Sequence, residues 1–306
     1  MPRKCEAHRL LIRLIIAYIG VVLIWATTPL AIKWSGEGPG FLFGVAARMT
    51  IGFFCLFFVL LIAWRRLPWN RKARLTYLAI AVQIYGAMLS TYWGSQFIPS
   101  GWISVIFGLT PLITAVFASF WLGERSLTWD KSFAYLMGLA GLVVMFFSAI
   151  QLNHDAVLGI AAILLAAFLQ ALSSVWVKQI GARIASLFQV SGGLLLALPA
   201  YMLTWWGFDG DWPQSFPLRS WMSIVYLGVI ATTFGFILYY YLLSHLSATR
   251  VALITFLTPV LSLMIGHVVN HEQVTMKVFV GTICILFALF LHVFGGRLTT
   301  LPAKLK

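Results

Sequence analysis

The stretch GLTPLITAVFASFWLGE, residues 108–124, returns later in the chain as FLTPVLSLMIGHVVNHE, residues 256–272. Both stretches carry a Leu-Thr-Pro triplet within an apolar run, and both end on a glutamate. Each matching position is displaced by 148 residues, although the whole chain contains only eight acidic residues. Two of these eight in one repeated frame indicate an internal duplication, and this duplication predicts how the chain is organised.

The composition of the chain is that of an integral membrane protein. Of its 306 residues, 61% are hydrophobic and only 9% are charged, and the mean hydropathy is +0.94. A soluble domain of this size needs far more charge to cover its surface. The three cysteines are scattered and predict neither a metal site nor a disulfide framework. The apolar N-terminal stretch is long enough to span a bilayer, so we interpret it as an uncleaved first span.

Breaks at charges, prolines and glycines divide the chain into ten apolar segments, each close to the ~20 residues that a membrane-spanning helix requires. The alternation typical of a β-barrel is absent, so we predict an all-α integral membrane fold with ten transmembrane helices. The predicted spans are 10–32, 41–64, 75–97, 101–121, 132–150, 156–178, 186–206, 221–243, 250–270 and 274–296.

The basic residues predict which side of the membrane each loop faces. With ten spans both termini lie on one side, and with the N- and C-termini cytoplasmic, 17 of the 21 Lys and Arg residues fall on the cytoplasmic side. Only Lys33, Arg219 and Lys277 fall outside, and Arg48 lies within a span. This asymmetry follows the positive-inside rule. It accounts for the net charge of +13, so we do not expect nucleic acid as a partner.

The repeated frames fall in predicted spans four and nine, which are five spans apart. Because five is odd, the second copy must cross the membrane in the opposite direction. We therefore predict two inverted five-helix repeats, residues 1–152 and 153–306, around a central cavity. Inverted repeats are typical of secondary transporters that work by alternating access. Pro111 and Pro259 share one repeat position within these helices, where each can bend its helix, and we predict that they act as hinges.

Polar and aromatic side chains within the spans are candidate ligands for a solute. Arg48 is a cation inside span two, where it requires a partner or water, and a substrate carboxylate would pair with it. The alternative is that it braces loop carbonyls or Glu37. Tyr85, Tyr92 and Gln96 share one face of span three, and the same shift places them on Thr233, Tyr240 and Ser244 of span eight. Interfacial anchoring and helix packing are the alternative roles of such residues. The predicted substrate-binding residues are Trp25, Arg48, Tyr85, Tyr92, Gln96, Gln170, Thr233 and Tyr240.

Both repeated glutamates, Glu124 and Glu272, close their helices beside a turn. We interpret them as structural groups that cap a helix or pair within the loop. His267 and His271 stand near Glu272, but their order does not match the H-E-x-x-H zinc motif. We therefore expect no metal site and no cofactor.

Four short motifs carry a resemblance to a known family. They are WATTPLAIK at 25–33, Arg48 in VAARM, the Pro111 to Gly123-Glu124 ending of span four, and the Pro259 to Glu272 ending of span nine. With the five-plus-five inversion, they make the whole chain resemble the EamA-type ten-helix exporters of the drug/metabolite transporter superfamily. The resemblance implies a central cavity lined by both halves, with spans five and ten packed peripherally. It also implies export of small metabolites, often amino acids or their derivatives, across a bacterial cell inner (plasma) membrane.

The sequence therefore predicts a secondary transporter that exports amino acids, aromatic ones included, or their derivatives. No Asp or Glu lies at mid-membrane in any predicted span, so the coupling ion is left open. The alternatives within the superfamily are a sugar-phosphate or nucleotide-sugar exchanger and a drug exporter. The first would need more cations than Arg48, and the second would need an intramembrane carboxylate.

Other classes of membrane protein are weaker alternatives. A membrane enzyme would need a catalytic motif, but G-x-S-x-G and H-E-x-x-H are absent from the sequence, and we expect no catalytic residue. A receptor has no need of inverted halves. The expected partners are a small-molecule substrate and the lipid bilayer, and the oligomeric state is open, with a monomer as the simplest expectation.

Overall fold

The computed structural model describes residues 2–123, 133, 136–144, 147 and 154–298, and this part of the chain is helical with short connections. Eight helical stretches within it are long and apolar enough to cross a membrane. A further helix, Met276–Leu298, contains a shorter apolar stretch, Met276–Ala288. The predicted all-helical membrane fold is confirmed. The predicted fifth span, 132–150, lies only partly within the described residues, so the count of ten stays a prediction.

The helices are named here in chain order. Two π-helical segments interrupt the longer stretches. The first π segment, Val82–Ala87, joins Arg71–Ala81 to Met88–Gly94, and the second, Leu227–Gly235, joins Leu218–Tyr226 to Phe236–His245. The α-helices are α1 Pro2–Ser35, α2 Phe41–Ile62, α3 Arg71–Ala81, α4 Met88–Gly94, α5 Ser100–Phe107, α6 Thr110–Leu122, α7 His154–Ile180, α8 Ser186–Phe208, α9 Leu218–Tyr226, α10 Phe236–His245, α11 Ala248–Ala252, α12 Ile254–Asn270 and α13 Met276–Leu298.

One end of the helix bundle is called the Glu37 end below, because Glu37 follows the last turn of α1 there. This end brings together the last turns of α1 and α12. Trp34 Nε1 donates a hydrogen bond of 3.0 Å to Asn270 Oδ1. Beside it, Lys33 Nζ donates to the carbonyl of Ile98, at 3.2 Å. The basic residues of the sequence predict that this end faces the outside of the cell.

The two helical stretches that carry the repeated frame, Ser100–Leu122 and Ala248–Asn270, run antiparallel. Gly101, in the first turns of α5, lies against Leu263 near the end of α12, because a Cβ on Gly101 would be 2.7 Å from Leu263 Cδ2. At the opposite ends of the same stretches, α6 packs against α11. The beginning of one stretch therefore meets the end of the other at both ends, which is the relation that an inverted duplication predicts.

Small residues set the closest contacts between helices. A Cβ on Gly94 in α4 would lie 2.9 Å from the carbonyl oxygen of Gly159 in α7. Residues 136–144 are helical, and a Cβ on Gly141 would lie 2.7 Å from the carbonyl oxygen of Gly281 in α13. In lipid, helices associate through such close van der Waals packing, since the surrounding acyl chains are as apolar as the side chains.

The two π segments occupy matching positions of the predicted repeats. A shift of 148 residues places 82–87 on 230–235, which lies inside the second segment. The wider turn leaves backbone carbonyls to be satisfied by side chains. The Tyr201 hydroxyl donates to the carbonyl of Ile84, and the Thr233 hydroxyl donates to that of Gly228, at 3.1 Å. Single π turns within α-helices are frequently found at functional sites.

The two predicted hinge prolines have different local settings. The helix is interrupted at Gly108 and Leu109, and Pro111 lies in the first turn of α6, where a missing N–H costs little. Pro259 lies inside α12, where it cannot donate to the carbonyl of Thr255. Their action as hinges stays a prediction.

We predict that Gly94→Leu destabilises the protein by about 1–3 kcal/mol, since the new side chain must push α4 away from α7. Thermal unfolding of the purified protein in detergent micelles measures this change. Gly207→Leu is the matched control, because no atom lies within 4 Å of a Cβ at that helical position. Equal unfolding temperatures for the two variants would show that the contact between α4 and α7 is not tight.

Candidate functional site

A narrow cavity lies in the middle of the bundle, between helices of both predicted halves. Its volume is about 60 Å³, which is room for a few water molecules but not for a whole amino acid. Helices α1, α2, α4, α5, α7, α10 and α12 contribute to its wall. The apolar part of the wall includes Ile32, Met88, Ile103, Phe107 and Phe236.

Three of the eight predicted substrate-binding residues line this cavity, namely Trp25, Arg48 and Gln170. The indole of Trp25 packs against the ring of Tyr239, with centroids 5.0 Å apart. Gln170, on α7, is buried. The structure thus brings together the first half's aromatic and cationic side chains with an amide from the second half.

Five hydroxyl-bearing residues of the wall were not predicted from the sequence. A signal for two of them was present, because Thr28 and Thr258 each directly precede a proline within an apolar run, and the Thr-Pro pair recurs in the chain. The unpredicted residues are Thr28, Thr91, Ser104, Thr255 and Thr258.

Arg48 is the cation of the cavity wall, and only 2% of its surface is exposed. Its Nε donates to Thr232 Oγ1 at 2.8 Å, while Nη1 has no hydrogen-bond partner among the described residues. Glu37, the carboxylate considered as an alternative partner, binds Arg219 instead. A buried guanidinium with an open donor is unfavourable unless an anion or water completes it. The cavity is therefore suited to an anionic group.

A thin layer of side chains separates Arg48 from the Glu37 end. The Arg48 guanidinium carbon lies 5.9 Å from the ring centroid of Tyr92, within the range of a cation–π contact. The Ser35 hydroxyl lies 3.4 Å from the Tyr92 hydroxyl and donates to the carbonyl of Ile32 at 2.7 Å. Tyr92 and Ser35 are fully buried, so the side chains of this layer are closely packed.

The other predicted residues lie outside the cavity wall. Tyr85 and Thr204 share a hydrogen bond of 2.7 Å. The Tyr240 hydroxyl donates to Gln83 Oε1, also at 2.7 Å, across the two predicted halves. Gln96 is exposed at the Glu37 end, where its amide donates to the carbonyl of Trp93, and the Thr233 hydroxyl bonds its own helix as described above. A binding role for Tyr85, Tyr92, Gln96, Thr233 and Tyr240 stays a prediction.

At the Glu37 end, hydrogen bonds of Glu272 connect the end of α12 to the start of α5. The Glu272 carboxylate accepts from the Ser100 N–H and hydroxyl, at 3.1 and 2.9 Å, and from the Gly101 N–H at 3.3 Å. It also accepts from Asn270 Nδ2 at 2.9 Å. A carboxylate at this position satisfies the free N–H groups of α5 and complements its positive end. The interpretation of Glu272 as a structural cap is confirmed, while Glu124 lies outside the described residues.

A metal centre has no support within the described residues. No group of three or more His, Cys, Asp or Glu side chains there is placed to hold a metal ion. His267 contacts the backbone carbonyl of Glu272 through Nδ1 at 3.0 Å.

Comparisons with known proteins place this geometry among transporters. The EamA-like transporter family matches residues 12–147 and again residues 157–294. An uncharacterised transporter of Bacillus subtilis, YoaV, is 24% identical over 93% of this chain and 98% of its own length. A probable amino-acid metabolite efflux pump of Escherichia coli is 26% identical over 65% of this chain and 69% of its own. A probable terminal-alkyne amino-acid exporter of Streptantibioticus cattleyicolor is 24% identical over 82% and 84%.

A solved crystal structure shows the same fold. It is 21% identical in sequence and superimposes with a TM-score of 0.68 over 92% of this chain and 98% of that chain. At this identity the likeness concerns the arrangement of the helices and leaves the solute to be argued from the site.

We predict that Glu272→Gln lowers the stability of the protein by about 1–2 kcal/mol, because an amide replaces one of the two acceptor oxygens at the end of α5. Thermal unfolding in detergent micelles is the measurement. Asp211→Asn, which removes an exposed carboxylate in the 209–217 loop, serves as the control. If both variants unfold at the wild-type temperature, the hydrogen bonds between Glu272 and α5 contribute nothing to stability.

Proposed function

We propose that this chain, which belongs to the EamA-like transporter family, exports amino acids or their derivatives by alternating access. The single observation that carries the choice of solute is the buried Arg48 in the cavity wall, which has an N–H donor without a hydrogen-bond partner and no carboxylate partner among the described residues. One relative is named a probable amino-acid metabolite efflux pump, and another is named a probable terminal-alkyne amino-acid exporter. An α-carboxylate would complete the guanidinium with charge-assisted hydrogen bonds.

The rest of the cavity wall suits the remainder of an amino acid. Trp25 and Phe107 offer ring faces to an apolar or aromatic side chain, and the hydroxyls of Thr91 and Thr258 offer acceptors to an ammonium group. Since the cavity of about 60 Å³ is smaller than such a solute, binding requires a conformation in which the cavity is wider. This requirement fits a cycle in which the site opens to one side at a time.

The antiparallel packing of the two repeated stretches supports the alternating cycle. In a chain made of two inverted repeats, exchange of the conformations of the repeats turns an opening on one side into an opening on the other. The family's match to residues 12–147 and 157–294 supports a division into repeats near residue 152. Pro111 and Pro259 are proposed hinges of this exchange, and the positive-inside pattern supports cytoplasmic termini in a bacterial inner membrane.

The residues of the cavity wall are less suited to the other two classes of solute. A sugar phosphate or nucleotide sugar is held best by several converging cations, whereas Arg48 is the one cation among the described residues that line the cavity. An organic cation needs a carboxylate, and none of these lining residues is acidic. Neither rival is favoured by an observation of its own.

We predict that Arg48→Met raises the half-saturating concentration for L-phenylalanine roughly ten- to a hundredfold, because it removes a charge-assisted contact to the carboxylate. The value for L-phenylalaninamide, which lacks the carboxylate, is expected to change little. Flux of both radiolabelled solutes in proteoliposomes is the measurement. Arg48→Lys is expected to lie between wild type and Arg48→Met, since it keeps the charge but loses the planar fork.

Arg219→Gln is the matched control, because it removes a cation that lies outside the cavity. It is expected to leave the preference for the acid over the amide intact. An equal loss of flux for both solutes in Arg48→Met would mean that Arg48 is a structural brace. Wild-type proteoliposomes that move no member of a panel of amino acids would contradict the proposed function itself.

A further inference from the structure

We propose that a second pocket, at the Glu37 end, is a binding site for zwitterionic α-amino acids on their way out of the protein. This inference rests on the proposed function, because it concerns the same solute after it leaves Arg48. The pocket has a volume of about 440 Å³, within the range of sites that bind small molecules. We call it the vestibule, and its wall includes Lys33, Glu37, Phe41, Gln96, Phe208 and Asp209.

Among the charged side chains that line the vestibule, one cation and one anion form no ion pair with a described residue. Glu37 is already engaged, since its carboxylate binds Arg219 and its carbonyl accepts from Ser220. Lys33 donates one hydrogen bond to a backbone carbonyl, which leaves two of its three N–H groups for another acceptor. Asp209 makes no ion pair with any described residue. Lys33 and Asp209 therefore offer opposite charges, as the carboxylate and ammonium groups of an amino acid require.

The backbone holds Asp209 in place at the edge of the vestibule. It follows the last residue of α8, and its N–H donates to the carbonyl of Trp205 at 2.9 Å. Its carboxylate faces the turn before α2, because a Cβ on Gly40 would lie 3.5 Å from Asp209 Oδ2. Gly40 has a φ of +83°, which disfavours a side chain there. The vestibule is thus built by the α1–α2 turn of one predicted half and by α8 of the other.

Apolar surface beside these charges offers space for an amino-acid side chain. Phe41, at the start of α2, and Phe208, at the end of α8, both line the vestibule. Phe208 is 85% exposed, so its ring can cover part of a bound solute without being drawn from a packed core. Gln96, predicted from the sequence as a binding residue, lies in this wall, with its side-chain amide at the surface.

Only a thin layer separates the vestibule from the central cavity. Ile32 lines both spaces, and it is 2% exposed. Lys33, the next residue of α1, lines the vestibule, while Arg48 lines the cavity. When the layer of Ile32, Ser35 and Tyr92 opens, a carboxylate that leaves Arg48 meets a second cation on the other side. The vestibule therefore shortens the path over which the carboxylate of the solute has no cationic partner.

The vestibule is tested first by protection of an introduced cysteine. In a chain with its three cysteines replaced by serine, Gln96→Cys is labelled with a membrane-impermeant maleimide in right-side-out membrane vesicles. We expect external L-phenylalanine to slow the labelling more than phenethylamine or 3-phenylpropionate does, because each of these carries only one of the two charges. Asp209→Asn and Lys33→Met are expected to abolish this protection, and Asp211→Asn is the control that keeps it.

Three outcomes would overturn the vestibule as a zwitterion site. The first is no protection by L-phenylalanine, and the second is protection that survives Asp209→Asn. The third is a cysteine that the reagent cannot reach, because the vestibule must open to the outside. Each of these results is independent of flux through the protein.

Flux separates this inference from the proposed function. In proteoliposome counterflow, we expect Asp209→Asn to raise the half-saturating concentration of external L-phenylalanine about tenfold. The value on the cytoplasmic side and the preference that Arg48 confers are expected to stay at wild type. Flux that depends on Arg48 without any protection of residue 96 would refute the vestibule alone. Protection of residue 96 without flux of amino acids would refute the proposed function but would still support the vestibule as a binding site for zwitterions.

Discussion

A guanidinium that is shielded from water, such as Arg48, constrains everything around it, because a charge in a low-dielectric interior has to be compensated locally. The protein supplies one hydrogen-bond acceptor, the Thr232 hydroxyl, and one ring face, that of Tyr92. Both groups lie on helices that contain a π segment. What is not supplied is a carboxylate, within the described part of the chain. The incomplete compensation makes the cavity attractive to an anionic group and unattractive to a cation.

The position of Arg48 depends on two glycines that let backbones approach each other. A Cβ on Gly52 in α2 would lie 2.6 Å from Thr232 Cγ2, and one on Gly228 would lie 3.0 Å from the carbonyl oxygen of Arg48. Helix α2 and the second π segment are thus in direct contact, and the short reach from Arg48 Nε to Thr232 follows from it. Close packing and the charged site are therefore one structural feature, as expected where helices are held by van der Waals contact in lipid.

The sequence predicted the membrane class, the positions of most spans and the antiparallel relation of the two repeated stretches, because hydropathy and an internal repeat report on these features directly. It predicted only part of the cavity wall. Hydropathy does not distinguish a threonine that faces a cavity from one that bonds back to its own helix, and Thr28 does both: it lines the cavity while its hydroxyl donates to the Ile24 carbonyl at 2.7 Å. Tyr85 and Gln96 were assigned to one face with Tyr92 by α-helical spacing, but they point to different neighbours.

The first π segment contains Tyr85 and precedes Tyr92, which explains why these two residues leave the common face, whereas Gln96 lies beyond the last residue of α4. The segment also has a consequence for the number of residues in this stretch. A π turn accommodates one residue more than an α turn, so the residues after it are rotated relative to those before it. Deletion of a single residue from 82–87 would leave the stretch apolar and able to insert into the bilayer. The segment would then close into a regular α-helix, and Tyr92 would keep its direction towards Arg48. The present number of residues without the wider turn would instead swing Tyr92 by about 100° around the helix axis. In this stretch the extra residue and the wider turn compensate each other, and a scan of substitutions alone would miss that relation.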